Sequence, residues 1–271
     1  MTAAAELLRD AAERLRGAGV DNPRLDARVL WEHAQKITLS PTSVGERENL
    51  FESFIARRIA REPVAYITGH KEFWSLDFEV GPGVLVPRPE SETLIEQLLK
   101  AFPDREAAHE FLDLGTGSGC LLISALKQYP SARGIGVDSS PSALAMARRN
   151  VEKHGLSGRC RLIEGDFSKI EGRFGGILAN PPYIPNGDIA SLAPEVRLHE
   201  PLQALDGGQD GLDSYRVLVP LTERLLTPDG LAFFEIGSSQ SGAVSALLGG
   251  RLVGVARDLA GIDRCVIGRG S

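Results

Sequence analysis

The sequence predicts an α/β fold, in which a doubly wound parallel sheet follows a small α-helical bundle and a β-hairpin. Apolar residues recur at helical spacing up to about residue 62, and the spacing changes to strict alternation at 73–80. From about residue 90, strand-like and helix-like segments alternate, as a parallel sheet covered by helices requires. We therefore expect a helical domain at 1–72, a hairpin linker at 73–89 and an α/β domain at 90–271.

The composition is typical of a folded enzyme and disfavours other classes of protein. Of the 271 residues, 42% are apolar and 24% are charged, which argues against a disordered or membrane-embedded chain. The formal charge of −6 opposes a large phosphate-binding surface. We therefore expect no direct contact with nucleic acid or with a membrane, and we expect a monomer.

The amino terminus and the cysteines favour a cytoplasmic protein. Glu6, Asp10 and Glu13 interrupt the leucines of the first helix, where a secretory signal would have a cationic start and an unbroken apolar run. The three cysteines lie far apart and form no C-x-x-C pair. The sequence therefore predicts neither a disulfide framework nor a metal site.

The predicted hairpin follows the helical region, which ends at Pro63. Apolar residues at every second position of 73–80 give the hairpin one apolar face. The run GPG at 81–83 predicts its turn, and residues 84–87 would return as the second strand.

Apolar runs predict five strands in the second domain, and two more strands joined by a turn are predicted at the carboxyl end. One connecting helix has all its boundary signals, with Ser140 as the N-cap, Pro141 at the first position and Gly155 after the end. The five strands are predicted at 110–115, 134–138, 160–166, 175–180 and 230–237, and the last two within 251–269.

A glycine-rich loop, LDLGTGSG, follows the first of these strands and precedes a helix. Glycines let the backbone turn tightly and let a ligand approach, and the helix start offers free N–H groups. The spacing G-x-G-x-G differs from the dinucleotide fingerprint G-x-G-x-x-G, which weakens a nicotinamide-binding interpretation. Asp138 ends the next strand about 20 residues later, where a carboxylate can accept both hydroxyls of an adenosine ribose. Together the loop and Asp138 predict a nucleoside site.

Asp166 and Phe167 end the third predicted strand, at the same edge of the sheet. An acceptor for an adenine amino group and a ring that packs on the purine would belong there. A purely structural role at a strand end is the alternative for both residues.

The run Asn-Pro-Pro-Tyr at 180–183 follows the fourth strand, at the edge where open α/β sheets bind ligands. The side-chain oxygen of Asn180 and the carbonyl of Pro181 can accept both hydrogens of a planar NH₂ group, because prolines hold that carbonyl without competing N–H groups. Tyr183 can pack on the planar group. The nitrogen lone pair, otherwise delocalised, is then directed toward an electrophile. A structural turn after a buried strand is the alternative.

Four longer stretches resemble one protein family. YITGHKEFWSLDFEV, LVPRPESE, NPPYIP and HEPLQALDGGQDGLD resemble the peptide chain release factor glutamine methyltransferases, the PrmC or HemK family. The resemblance extends over nearly the whole chain and implies a Rossmann-like, seven-stranded methyltransferase domain. It implies methyl transfer from S-adenosyl-L-methionine to the side-chain amide nitrogen of the Gln in the Gly-Gly-Gln motif of class 1 release factors. The cofactor product would be S-adenosyl-L-homocysteine.

The resemblance also implies that the domain at 1–72 recognises the substrate and that the domain at 90–271 is the catalytic methyltransferase domain. It implies the site residues as well. The substrate glutamine would lie at Asn180, Pro181, Pro182 and Tyr183, of which Asn180, Pro181 and Tyr183 are the expected catalytic residues. The expected cofactor-binding residues are Gly115, Thr116, Gly117, Ser118, Gly119, Asp138, Asp166, Phe167 and Asn180.

Other interpretations remain open. An adenine or cytosine amino-methyltransferase acting on DNA or RNA would also use Asn-Pro-Pro-Tyr, but it needs phosphate contacts that the acidic charge disfavours. A non-catalytic nucleoside-binding adaptor of translation factors would not need that motif. Pro87 and Pro89 predict a stiff linker, and Glu90 and Glu92 favour the start of the next helix. A role for Arg88 or Glu90 near the active site is the alternative, and neither is included in the catalytic set. The run 207–209 repeats Gly-Gly-Gln within this chain, and we interpret it as a polar turn, with self-methylation of Gln209 as a hypothesis.

Overall fold

The computed structural model describes residues 3–38 and 44–270. They fall into two compact units, each with its own core. The first lies within Met1–His70 and Leu192–Glu200, and the second within Lys71–Ser191 and Pro201–Ser271. The domain limits expected from the sequence stay a prediction.

Ten α-helices are present in the described ranges. They are α1 (Ala3–Gly17), α2 (Pro23–Ile37), α3 (Val44–Ile59), α4 (Val64–Thr68), α5 (Glu92–Ala101), α6 (Cys120–Gln128), α7 (Pro141–Lys153), α8 (Pro194–His199), α9 (Asp213–Leu225) and α10 (Ser241–Leu248). In these same ranges, every helix is too short or too polar to cross a membrane.

The first unit is helical, as predicted. Its core consists of apolar side chains from α1, α2 and α3, of which Leu15, Leu30, Phe51 and Ile55 are fully buried. These positions belong to the helical stripes of the sequence, so burial of one face of each helix explains the bundle.

A buried arginine joins α8 to the bundle within the first unit. Arg58 of α3 lies 2.8 Å from the carboxylate of Asp26 and 2.7 Å from that of Glu195, which is 137 residues away in sequence. Arg61 binds the other oxygen of Glu195 at 2.7 Å. Because each buried charge has an opposite partner, the desolvation cost of Arg58 is offset. These pairs fix α8 against the bundle.

The β-hairpin is present, but the predicted position of its turn was wrong. Its strands are β1 (His70–Phe73) and β2 (Leu76–Glu79). Trp74 and Ser75 form the two-residue turn with φ values of 51° and 58°, which suit the twist of a tight hairpin. The Glu92 carboxylate accepts the Trp74 N–H at 2.8 Å and so stabilises a turn without glycine. The turn at 81–83 leads instead into residues 84–87, which form no strand.

The second unit contains a seven-stranded sheet whose strands all match predicted ones. The strands are β3 (Glu110–Leu114), β4 (Arg133–Asp138), β5 (Cys160–Glu164), β6 (Phe174–Ala179), β7 (Leu226–Glu235), β8 (Leu252–Arg257) and β9 (Asp263–Arg269). The order is β5-β4-β3-β6-β7-β9-β8, and only β9 runs antiparallel to its neighbours. The predicted α/β fold with a mostly parallel seven-stranded sheet is therefore confirmed.

Both faces of this sheet are buried. Leu112 and Ile177 pack on one face with Leu218 of α9, whereas Phe111 packs on the other with Leu122 of α6. Successive residues of a strand point to opposite faces, so the continuous apolar run of β3 fills two cores at once.

The strand order reverses beside β3. From β3 the chain builds outward through β4 and β5, and then returns to place β6 on the other side of β3. In open α/β sheets, such a reversal leaves a crevice outside the carboxyl ends of the two central strands. The glycine loop follows β3 and Asn180 follows β6, so both lie at this crevice.

Candidate functional site

A cavity of about 240 Å³ occupies the crevice within the second unit. Most of the residues that the sequence assigned to the site line it. They are Gly115, Thr116, Gly117, Ser118, Asp138, Phe167, Asn180 and Pro182. The structure therefore brings together residues that follow β3, β4, β5 and β6.

Three glycines give the loop after β3 its shape. Gly115, Gly117 and Gly119 have φ values of 80°, 55° and 84°, a left-handed conformation that side-chain-bearing residues adopt at a cost. A Cβ at Gly119 would also lie 3.0 Å from Ile123 Cδ1. Gly119 does not line the cavity, and its place at the N-cap of α6 explains why a glycine is needed there.

Asp138 connects the glycine loop to the start of α7. Its Oδ2 accepts the Gly117 N–H at 2.9 Å, and its Oδ1 accepts the Ser140 N–H at 2.9 Å. Each carboxylate oxygen has a further lone pair, so Asp138 can still accept a hydroxyl of a ligand. The Ser140 hydroxyl in turn accepts the Ala143 N–H at 3.3 Å, which confirms the predicted N-cap.

Asp113 is a buried carboxylate beneath the loop, to which the sequence analysis assigned no role. Its Oδ2 accepts the Thr116 hydroxyl at 2.6 Å, while Oδ1 has no partner among the described residues. Burial raises the pKa of Asp113 to about 7, and the nearby charge of Asp138 also raises it. An acidic residue inside an apolar strand was the signal that could have identified it.

Replacing Asp113 by Asn should stabilise the protein more at high pH than at low pH. The folded state retains a proton on Asp113 that the unfolded state loses between about pH 4 and pH 7, so the stability of the wild type falls as pH rises through this window. Asn does not titrate and keeps an acceptor for Thr116. Urea unfolding of the wild type and the variant at about pH 4.5 and pH 8 measures this effect. The difference in unfolding free energy between variant and wild type should be more favourable to the variant at pH 8 than at pH 4.5, by at most about 4 kcal/mol. The exposed Asp104→Asn is the control, and an equal pH-dependent gain there would contradict burial as the cause.

Asn180 is half-buried, and its amide has a defined orientation. Its Nδ2 donates to the Ser91 hydroxyl at 3.3 Å. Among residues 3–38 and 44–270, no group donates to Oδ1, so this oxygen is available to a ligand. Ser91 and Arg88 both line the cavity. The sequence predicted no role for Ser91, and a place near the active site was an alternative for Arg88.

The rest of the motif is divided between two cavities. Pro182 lines both cavities, whereas Pro181 lines only the second. This second cavity is more open and mainly apolar, has a volume of about 310 Å³, and is also lined by Phe167. Tyr183 lines neither: its ring packs against the core, and burial raises its pKa above the ordinary range. Its carbonyl accepts Gln240 Nε2 at 2.9 Å. Asp166 is exposed and lines neither cavity.

Comparison with known proteins adds to this geometry. Residues 6–69 match the model of the PrmC N-terminal domain, and residues 90–206 match that of the methyltransferase small domain. A release factor glutamine methyltransferase from Caulobacter vibrioides is 43% identical over 95% of this chain and 93% of its own length. The chain belongs to the release factor glutamine methyltransferase family. Another member, from Moorella thermoacetica, is 42% identical over 97% of this chain and 96% of its own length.

A solved structure supports the fold. The crystal structure of a methyltransferase from Pyrococcus furiosus matches with a TM-score of 0.53, covering 81% of this chain and 98% of that chain. Its identity of 19% limits the likeness to the fold. As a member of the release factor glutamine methyltransferase family, this protein is an S-adenosylmethionine-dependent methyltransferase.

The crevice fits that cofactor. No atom of the described residues lies within 4 Å of where a Cβ would stand at Gly115, and at Gly117 the nearest is the Gly115 carbonyl oxygen at 4.0 Å. Both glycines line the cavity, so a nucleoside can approach the backbone closely. Asp138 has the acceptor capacity that a ribose hydroxyl requires, and the half-buried Phe167 lines the same cavity with an apolar ring.

Proposed function

We propose that this enzyme transfers a methyl group from S-adenosyl-L-methionine to the side-chain amide nitrogen (N5) of the Gln in the Gly-Gly-Gln motif of class 1 release factors, in translation termination. The observation that carries the proposal is the arrangement at Asn180. Its Nδ2 is bound to Ser91, so its oxygen remains as an acceptor at the cavity that the glycine loop lines. The named activity of the Caulobacter and Moorella relatives supports the choice of substrate.

We assign the methyl-accepting amide to Asn180 and Pro181. Asn180 Oδ1 and the Pro181 carbonyl each accept one hydrogen of the glutamine NH₂, which directs the nitrogen lone pair away from the amide plane. Neither Pro181 nor Pro182 has an N–H to compete for these acceptors. Tyr183 contributes as an anchor, because its packed ring and its bonded carbonyl limit movement of the motif. Positioning of this kind is the main source of catalysis when two bound groups react directly.

The cofactor is assigned to the side of the crevice formed by the glycine loop and Asp138, opposite the substrate amide at Asn180 and Pro181. When bound, S-adenosyl-L-methionine supplies an electrophilic methyl group on a sulfonium. The loop from Gly115 to Gly119 presents backbone N–H groups and an open surface, and Asp138 accepts the ribose hydroxyls. Phe167 packs on the purine, and Asp166 accepts from its amino group.

We further propose that the enzyme is cytoplasmic and monomeric and that it binds no nucleic acid directly. The acidic balance of the chain supports the absence of direct nucleic-acid binding, because a net charge of −6 repels a phosphate backbone.

Labelled cofactor tests the function. The enzyme is incubated with labelled S-adenosyl-L-methionine and, separately, a class 1 release factor, its Gln→Ala variant in the Gly-Gly-Gln loop, DNA and tRNA. We expect label only on the unaltered release factor. Label on nucleic acid would support a base amino-methyltransferase instead, and equal label on the loop variant would exclude the glutamine as the acceptor. No label on any substrate would favour the adaptor hypothesis.

A further inference from the structure

A second buried carboxylate lies close to Asn180. Glu235 stands at the carboxyl end of β7, has no exposed surface, and neither of its carboxylate oxygens makes a well-formed hydrogen bond within the described residues. A buried carboxylate without partners is costly, and such groups are rare in folded proteins. Its presence therefore needs an explanation, and the core packing supplies none.

Ser91 provides a link between Glu235 and Asn180. The Ser91 hydroxyl is almost fully buried and accepts Asn180 Nδ2 at 3.3 Å. Of the groups that lower the pKa of Glu235, Ser91 has the largest effect. A hydroxyl has one hydrogen to donate and two lone pairs. While a lone pair of Ser91 is occupied by Asn180, its hydrogen is available to the Glu235 carboxylate.

The orientation of Asn180 depends on this link. The two ends of an amide are almost equal in size, so hydrogen-bond partners decide which end faces the cavity. A Ser91 hydrogen drawn toward Glu235 leaves Ser91 as an acceptor, which binds only the NH₂ end of Asn180. The oxygen of Asn180 then faces the substrate, whereas the flipped amide would present a second NH₂ group to the glutamine NH₂.

We infer that Ser91 and Glu235 are positioning residues that hold the Asn180 amide with its oxygen toward the substrate. This inference rests on the proposed function for its catalytic consequence. It connects Glu235 at the end of β7, Ser91 before α5 and Asn180 after β6. Neither the sequence motifs nor the family comparison gives Ser91 or Glu235 a role.

The charges around Glu235 determine its protonation. Burial raises its pKa to about 7, and the negative charge of Glu90 raises it further. Ser91, Arg264 and Arg88 lower the pKa of Glu235. The other titratable groups that interact with it are Tyr183, Tyr215, Cys120 and Cys265. Below about pH 7 a protonated Glu235 can donate to Ser91, which frees the Ser91 hydrogen to bind the oxygen of a flipped Asn180.

Side-chain amide resonances of Asn180 test the positioning without any turnover. The ¹⁵N–¹H pair is assigned by its loss in Asn180→Ala, and its shift is followed from about pH 5.5 to pH 9. We expect the wild-type resonances to titrate near pH 7, and we expect no such titration in Glu235→Gln or Ser91→Ala. Titration that is unchanged in both variants, or absent in the wild type, would overturn the inference whatever the activity.

Kinetics on a release factor give the second readout. Ser91→Ala should lower kcat by about 10-fold to 100-fold while KM and the cofactor Kd change less than about threefold. Glu235→Gln should remove the fall of kcat below about pH 7. Ser124→Ala is the matched control, because its hydroxyl is equally buried and has no partner in the described residues. A wild-type kcat in both Ser91→Ala and Glu235→Gln would refute the positioning role. An inactive wild-type enzyme would refute the proposed function, and the resonance test would then decide the inference by itself.

Discussion

Replacing Asn180 by Ala should lower kcat on a release factor by about 100-fold to 1,000-fold. The variant removes one of the two acceptors that hold the substrate NH₂, and loss of a single preorganised hydrogen-bonding group at a reacting centre commonly has an effect of this size. The Kd for S-adenosyl-L-methionine should change less than about threefold, since the loop after β3 and Asp138 carry most of the proposed cofactor contacts. Single-turnover kinetics and calorimetric titration measure the two quantities.

Asn186→Ala is the matched control for this experiment. Asn186 lies six positions after Asn180 and is exposed, so its loss should leave kcat within about twofold. Equal losses of kcat and of cofactor affinity in Asn180→Ala would contradict a role in orienting the substrate. Such a result would instead assign Asn180 mainly to the cofactor.

The sequence predicted the parts of the fold that depend on local patterns. Apolar runs of five to ten residues located all seven strands of the large sheet, and Ser140 marked the start of α7, because burial on both faces and N-capping leave direct traces in the sequence. The glycine spacing and the position of Asp138 predicted a nucleoside site, and most of the residues concerned line a cavity at the carboxyl edge of the central strands. Their binding roles stay a prediction.

The hairpin turn was misplaced because its stabilising contact is not local. Gly81 and Gly83 carried the usual turn signal, whereas the turn forms at Trp74 and Ser75, two residues that rarely adopt positive φ. The carboxylate that supports this turn comes from Glu92, 18 residues further along the chain. A pattern within a few residues contains no information about such a partner.

The buried polar groups of the site were missed for a related reason. Asp113, Ser91 and Glu235 come from three separate elements and become buried only when the sheet and α5 have formed. Asp113 stands inside an apolar run, which is a signal of a buried acid, but the sequence does not show which groups surround it. Burial is what raises the pKa values of Asp113 and Glu235. Likewise, no sequence pattern placed Glu195 beside Arg58, because that contact joins residues 137 positions apart.

The Gly-Gly-Gln run at 207–209 has a structural explanation. Gly207 donates its N–H to the Ile184 carbonyl at 2.9 Å, and the Gly208 carbonyl accepts the Asn186 N–H at 2.9 Å. Both bonds are made to the backbone that directly follows Tyr183. The loop is therefore a support for the Asn-Pro-Pro-Tyr motif, and this packing accounts for its glycines without any likeness to the substrate.

Replacing Gly207 by Ala should impair both stability and turnover. A Cβ there would lie 2.8 Å from the Cα of Tyr183 and 2.8 Å from the Cα of Gly211, and backbone atoms cannot yield as the end of a flexible side chain can. We expect unfolding free energy to fall by about 2–3 kcal/mol, as measured by urea unfolding. Because the displaced backbone continues into the motif, kcat should fall by at least about 10-fold at temperatures where the variant is folded.

Gly187→Ala separates this clash from the general effect of adding a methyl group. Gly187 lies on the same stretch after the motif and is exposed, and within residues 3–38 and 44–270 no atom lies within 4 Å of where its Cβ would stand. Its replacement should change stability by less than about 0.5 kcal/mol and leave kcat nearly unchanged. If Gly207→Ala behaved in the same way, the loop at 206–211 would not support the motif. Mass spectrometry of Gln209 after incubation with cofactor alone would then become the decisive measurement, because methylation there is the remaining explanation for the repeated motif.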